Sequence, residues 1–185
     1  FGSFDDVGMR VTPMRIDLKP DAVPPTHTLR YINPQVLPHV KTEIDRLLSS
    51  GIIKPTTTAT NNSPLVIVPK PDGSIRLAVD YRELNRCLQP YAGTIPNMRS
   101  LFPHLQGKYY FCSMDNLWGY HQLPVVPEHH DLTTIVTHWG QFAFTRCPFG
   151  ISTAPGVYQD RMAREVLAEL VFDCCVVFID DTVVY

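Results

Sequence analysis

The run Cys174-Cys-Val-Val-Phe-Ile-Asp-Asp-Thr-Val-Val-Tyr185 decides how the rest of the chain is read. Cys174–Ile179 and Thr182–Tyr185 are apolar segments of strand character, joined across Asp180-Asp181. Asp-Gly or Asn-Gly would make such a hairpin more easily, so the second acid is unexpected. Neighbouring carboxylates at a sheet edge resist joint ionisation unless a cation lies between them. Asp115 closes another apolar run, Tyr109–Met114, and is a third acid that the fold could bring to the same place. Three such groups suit a hard divalent cation, and Mg²⁺ is the natural one where phosphates complete its shell. Two ions roughly 4 Å apart can activate an attacking hydroxyl and stabilise a leaving oxygen. Spacing alone leaves a simpler account open, a solvated turn with Asp115 capping the segment after it.

Working outward, Thr153 and Pro155 open a helix expected to reach about Leu170, with Val157, Tyr158, Met162, Val166, Leu167 and Leu170 on one side. Leu132–Val136 and Phe142–Thr145 flank His138-Trp-Gly140 as a hairpin. Leu65–Val68 and Ile75–Val79 flank Pro71-Asp-Gly-Ser74 as another. Asn33-Pro34 opens a helix whose face is Val40, Ile44, Leu47 and Leu48, closed by Gly51. Thr56–Asn62 reads as a polar loop, Tyr81–Cys87 as a short helix, and Met98–Leu105 as another interrupted at Pro103. Residues 1–33 carry four prolines and no period, an extended leader. The fold class is α+β.

The chain has 185 residues, 44% hydrophobic and 18% charged, a globular composition. Its formal charge of −2 excludes a strongly basic nucleic-acid tail but not a local basic face. Residues 1–100 hold 12 Lys and Arg against 9 Asp and Glu, while residues 101–185 hold 4 against 9. The first half suits a surface that meets phosphates, the second a site for metal ions. Clean apolar runs reach six residues, too short for a membrane helix, and no secretory leader precedes Phe1. Five cysteines without a C-x-x-C pair imply buried thiols rather than zinc ligands or disulfides. His129-His130 reads as a solvated loop pair rather than a ligand set. Starting on Phe and stopping inside an apolar stretch, the chain reads as part of something longer.

Several boxes carry a resemblance. Phe178-Ile-Asp-Asp-Thr-Val-Val-Tyr185 resembles the Y-x-D-D box of reverse transcriptases. Lys70-Pro-Asp-Gly-Ser-Ile-Arg-Leu-Ala-Val-Asp-Tyr-Arg-Glu-Leu-Asn85 is similar to the fingers hairpin of gypsy-type LTR retrotransposon polymerases. Ser113-Met-Asp115 with Gly119-Tyr-His-Gln122 resembles their first catalytic box. Phe144-Thr-Arg-Cys-Pro-Phe-Gly150, Ala154-Pro155 and Tyr158-Gln159 resemble the segment lining the nucleotide pocket. Arg15–Lys19 and Glu43–Leu48 also look like that family, so the likeness covers nearly the whole chain through boxes in the family's order.

The resemblance implies right-hand polymerase fingers and a partial palm, an antiparallel sheet with packed helices, the thumb being absent. The leader would be 1–33, the fingers 34–107 with a hairpin over 64–80, and the partial palm 108–185. It implies RNA-directed DNA synthesis by two-metal nucleotidyl transfer. Asp115, Asp180 and Asp181 would be the catalytic, metal-binding acids, with Asp181 the least directly engaged. The cofactor would be two Mg²⁺ ions, with Mn²⁺ as a substitute. Lys70 and Arg76 would grip the triphosphate, Tyr120 would lie beneath the sugar and exclude a 2′-hydroxyl, Phe149 and Gly150 would wall the base, and Arg82 would meet the template. Partners would be an RNA or DNA template with primer, deoxynucleoside triphosphates, and the rest of a Pol polyprotein: thumb, ribonuclease H, protease and integrase. No membrane is implied. Localisation would be cytoplasmic, in virus-like particles, with a nuclear phase.

The chain departs from the family at Phe178, usually Tyr, and at Asn116-Leu-Trp118, where the family reads Leu-x-Ser. Trp118 puts a bulky ring beside the triphosphate site. These departures keep open a rival reading, a degenerate, non-catalytic remnant that at most binds nucleic acid. An RNA-directed RNA polymerase is disfavoured by the fingers motif and the order of the boxes.

Overall fold

A computed structural model describes residues 8–69, 75–93 and 95–185. In chain order its elements are α1 (Leu37–Ser49), β1 (Ile53–Thr56), β2 (Ser63–Pro69), β3 (Ile75–Val79), α2 (Arg82–Cys87), α3 (Phe102–Leu105), β4 (Cys112–Asp115), β5 (Ile135–Thr137), β6 (Gly140–Phe144), α4 (Ala154–Arg161), β7 (Cys175–Phe178) and β8 (Asp181–Val184). They build two sheets, one of five strands in the order β1-β6-β5-β2-β3 and one of three in the order β4-β8-β7. The five-stranded sheet is mixed, because β2 and β5 run parallel while its other pairs are antiparallel. The hairpin β5–β6, from the second half of the sequence, is therefore inserted between strands of the first half. Among the described residues, no helix is long and apolar enough to cross a membrane.

Helix α1 buries Val40, Ile44 and Leu47, spaced for one helical face, against this sheet. With Ile53, Leu65, Ile135, Phe142 and Phe144 they form one core. Asn33-Pro34 makes a turn ahead of the helix rather than its first turn. The Asn33 side-chain oxygen accepts from the Gln35 N–H at 3.0 Å and its carbonyl from Val36 at 2.9 Å. Gly51, at φ +64°, takes the left-handed position that ends the helix. Strand β1 is an addition to the sequence reading, and it contains Pro55, a residue disfavoured in a strand interior. It survives because β1 is an edge strand, where a missing N–H leaves no ladder bond unmade.

The second core lies between the three-stranded sheet and α4. Tyr158, Val157 and Met162 pack there with Leu84, Leu123, Cys147 and Val177. Met14 and Ile16 belong to the same core, so the extended segment after residue 8 is threaded through the middle of the molecule. Met14 N–H donates to the Pro124 carbonyl at 2.7 Å, and its own carbonyl accepts from Val126 at 3.0 Å. Gln89 N–H donates to Asp17, and Lys19 N–H to Cys87.

Other expectations need correction. Past Arg161 the helix widens into a π turn over Met162–Val166, then folds back through turns to reach β7, leaving Val166 and Leu170 exposed. Tyr109, Tyr110 and Phe111 lie outside β4 and face solvent. Pro103 sits in the first turn of α3, where its missing N–H costs nothing, and does not interrupt it. His129 and His130 are structural rather than solvated. His129 Nδ1 accepts from the Ile16 N–H at 2.8 Å, and buried His130 donates from Nε2 to the Val125 carbonyl at 3.0 Å. Cys147 and Cys175 are buried thiols as expected, but Cys112 is exposed.

Candidate active site

The acids gather at one end of the small sheet. Asp115 of β4 stands directly opposite Asp181 of β8, and Asp181 pairs with Phe178 of β7. The connecting turn is therefore Ile179-Asp180, one residue earlier than the expected Asp180-Asp181, and Asp181 is already in the strand. Ile179 takes φ +59°, as the first central position of such a hairpin turn demands. For a β-branched residue that conformation costs about 1–2 kcal/mol. The support comes from α4: buried Gln159 accepts from the Ile179 N–H through Oε1 at 2.6 Å and donates through Nε2 to the Val177 carbonyl at 3.3 Å. From the other side, Asn116 Nδ2 donates to the Asp180 carbonyl at 3.4 Å and to the Tyr158 hydroxyl at 3.0 Å.

Among the described residues, none of these three carboxylates has a cationic side chain paired with it. Opposed like charges on neighbouring strands are unfavourable unless something offsets them. Burial first, and the Asp180 carboxylate second, push the Tyr120 phenol up to about 12. Tyr158 is raised to about 12, again chiefly by burial. Both phenols therefore remain neutral beside the acids. Among the described residues, no three His, Cys, Asp or Glu side chains are drawn into a closed ligand cluster. The donor chemistry still fits Mg²⁺: hard anionic oxygens at an open edge, with no cation paired to them among the described residues, where water and phosphate would supply the other ligands.

Beside the acids lies an aromatic wall. The ring of Tyr120 packs edge-on to Phe149 at 5.4 Å and tilted against Tyr158 at 5.3 Å. The guanidinium of Arg76, the exposed residue of half-buried β3, stands 5.4 Å from the Phe149 ring centroid. Gly119 presses on the Asp180 turn, and a β-carbon there would stand 3.7 Å from Asp180 Cβ. A cleft of about 510 Å³ opens beside this wall, lined by Arg76, Trp118, His121 and Phe149, with Leu47 and Phe144 deeper. Asp115, Asp180, Asp181, Tyr120, Phe149 and Arg76 thus belong to one neighbourhood. Gly150 adjoins it at φ +98°, its carbonyl accepting from Asn85 Nδ2 at 2.8 Å. Lys70 lies outside the described residues.

Arg82 is placed elsewhere. Its Nε and Nη2 grip Asp80 at 2.8 and 2.7 Å, and Arg30 reaches the same carboxylate at 3.1 Å. Arg82, then Arg30, hold Asp80 well below the usual carboxylate range. Together with His27, Glu83 and Arg86 they line a second, smaller cleft of about 210 Å³.

His121 adds a pH dependence. Burial lowers its pKa to about 4, although its Nδ1 donates to the Cys147 carbonyl at 3.1 Å. The unfolded chain titrates near 6.5 and so binds a proton before the folded one does. The stabilising effect is complete above about pH 6.5 and is lost as pH falls towards 4, by about 3 kcal/mol in all. Urea unfolding at pH 7 and pH 4.5 measures it, and His121→Phe should flatten this part of the profile.

Sequence reasoning put Gln159 in the pocket-lining segment without giving its side chain a role, and gave Asn116 none. The available signal was polarity out of place: Gln159 follows Val157 and Tyr158 in an apolar helical face, and a buried amide there needs partners.

Residues 68–185 match the reverse transcriptase (RNA-dependent DNA polymerase) family. The chain is 33% identical over 185 residues to the retrovirus-related Pol polyprotein from transposon opus of Drosophila melanogaster, covering 96% of this chain and 18% of that protein. It is 28% identical over 151 residues to the corresponding polyprotein from transposon gypsy of the same organism, covering 79% and 14%. The crystal structure of a prototype foamy virus protease-reverse transcriptase mutant superposes with a TM-score of 0.84 at 28% identity, covering 98% of this chain and 24% of that one. That likeness makes the α+β architecture one of polymerase fingers and partial palm. The chain spans less than a fifth of the curated relatives described here. It belongs to the reverse transcriptase family, in the gypsy-type group of retrotransposon Pol proteins.

Proposed function

We propose that this chain serves RNA-directed DNA synthesis as the fingers and partial palm of a Pol polyprotein. In the reaction a primer 3′-oxygen attacks the α-phosphorus of a deoxynucleoside triphosphate, its proton is lost, and pyrophosphate leaves. The observation that carries this reading is the end-of-sheet carboxylate group beside Tyr120, whose phenol Asp180 influences and whose ring packs on Phe149 next to Arg76. Asp115, Asp180 and Asp181 would hold two Mg²⁺ ions, or Mn²⁺ in their place. When bound, such ions lower the pKa of an attacking hydroxyl and offset phosphate charge. Arg76, with Lys70, binds the triphosphate by charge-assisted hydrogen bonds. Tyr120 bars a 2′-hydroxyl sterically, and Phe149 with Gly150 borders the base. Arg82, held by Asp80, faces the template strand.

In this reading 1–33 is a leader, 34–107 the fingers and 108–185 the partial palm, with β5–β6 lent to the fingers sheet. The partners are a primed RNA or DNA template, deoxynucleotides and the other Pol domains. The setting is a cytoplasmic particle with a nuclear phase. Primer extension on an RNA template, by the Pol protein that carries this chain, tests the reading. Deoxynucleotides should be strongly preferred, and Tyr120→Ala should raise relative ribonucleotide use by about tenfold or more. A wild-type preference for ribonucleotides would overturn the role given to Tyr120, and absence of extension would overturn the function.

A further inference from the structure

Trp118 lines the cleft from an unusual backbone position, and a distant helix holds it there. Its φ is +59°, a left-handed conformation that bulky residues rarely adopt, immediately before the short helix Gly119–Gln122 that carries Tyr120. Arg46, in the last turn of α1, lays its guanidinium 3.9 Å from the Trp118 ring centroid. Arg46 is itself fixed, because Nε and Nη2 donate to the two carboxylate oxygens of Glu43 at 2.8 and 2.6 Å. This fork occupies the N–H edge and leaves the flat face for the indole. His121 stacks near the same indole, with centroids 6.0 Å apart and planes at 27°. Burial keeps that imidazole neutral at pH 7, so it adds no second cation beside Arg46. Glu43, Trp118 and His121 line the same cleft as Arg76 and Phe149.

We infer that Arg46 is a positioning residue for the incoming nucleotide, acting through Trp118: the stack fixes the indole as one wall of the cleft and so sets nucleotide affinity. This rests on the cleft being the nucleotide site. A guanidinium stacked on an indole, partly withdrawn from water, is strong enough to set a rotamer, and its loss corresponds to about a fivefold to tenfold change in affinity. The cleft wall acts on binding rather than on the acids, so the effect falls on KM.

The test is steady-state primer extension by the Pol protein carrying this chain. Arg46→Ala should raise KM for deoxynucleotides about fivefold to tenfold and leave kcat within about twofold. Arg46→Lys, which keeps the charge but not the flat face, should recover part of the loss. Trp118→Ser should shift KM by itself, and adding Arg46→Ala to it should change nothing further, since the stack is already gone. An unchanged KM, or additive effects in the double variant, would each overturn the inference in an active protein. A wild-type protein without extension would overturn the functional reading and this inference with it.

Discussion

Asp180→Asn is expected to lower primer extension by about 10³-fold or more, while the fold stays intact. The substitution is isosteric, and the contacts that hold the turn are made by backbone groups: the Ile179 N–H, the Val177 carbonyl and the Asp180 carbonyl itself. None of these depends on the carboxylate. What disappears is one negative charge at the sheet edge, and charge that steadies a phosphoryl-transfer transition state is worth about 3–4 kcal/mol or more. Relief of repulsion from Asp181 and Asp115 should hold the melting temperature level or raise it slightly. Extension rates and melting curves of the two proteins decide the matter together. Near-normal extension by the variant would remove Asp180 from the chemistry, whereas lost extension with a collapsed melt would say only that the turn had failed.

The largest stability effect is expected at Gln159. Gln159→Leu keeps the volume but leaves the Ile179 N–H without its partner and takes the side-chain donor from the Val177 carbonyl, beside a residue already in a strained conformation. Buried groups left without partners cost about 1–3 kcal/mol each, so a loss of about 2–4 kcal/mol follows. For a chain of this size that is a drop of about 5–15 °C in melting temperature. Gln159→Glu, which retains the acceptor for Ile179, should lose less. Ile179→Gly in the Gln159→Leu background should recover about 1 kcal/mol, because glycine takes positive φ without strain. Thermal melts of the four proteins measure this, and a Gln159→Leu melt within 2 °C of wild type, a threshold near the shift of about 2–4 °C per kcal/mol, would show that the turn holds its shape unaided.

The parts of the molecule legible in the sequence are those governed by local chemistry. Val40, Ile44 and Leu47 announced α1 by their spacing, and Gly51 announced its end. The paired hairpins came from alternating apolar residues around turn-forming ones. The acids stood out because two charges between apolar strands need a reason. Legibility failed where a distant part of the chain decides the outcome. Pro55 forbids a central strand, and nothing nearby says that β1 would be an edge. Tyr109–Phe111 have the composition of a strand, yet β4 begins only at Cys112, opposite Val184 of β8, and the three rings face solvent. The shift of the turn from Asp180-Asp181 to Ile179-Asp180 is a one-residue matter. Isoleucine is a poor choice at positive φ, and the Gln159 amide, twenty residues away, holds it there with Asn116 supporting the turn from the other side. Arg82 read by resemblance as a template contact, and nothing in that reading pointed to the ion pair it makes with Asp80.

The threading of Met14 through the core has a consequence for how the chain is made. On the ribosome, Met14 emerges well before Pro124 and Val126, which carry the backbone groups it bonds. More than a hundred residues must be synthesised before it can be satisfied, a delay of roughly 5–20 s at typical elongation rates. In that interval the first core, around α1, is also incomplete, because Ile135, Phe142 and Phe144 come later still. Neither half can therefore fold as it is translated, and the nascent chain depends on late, long-range closure.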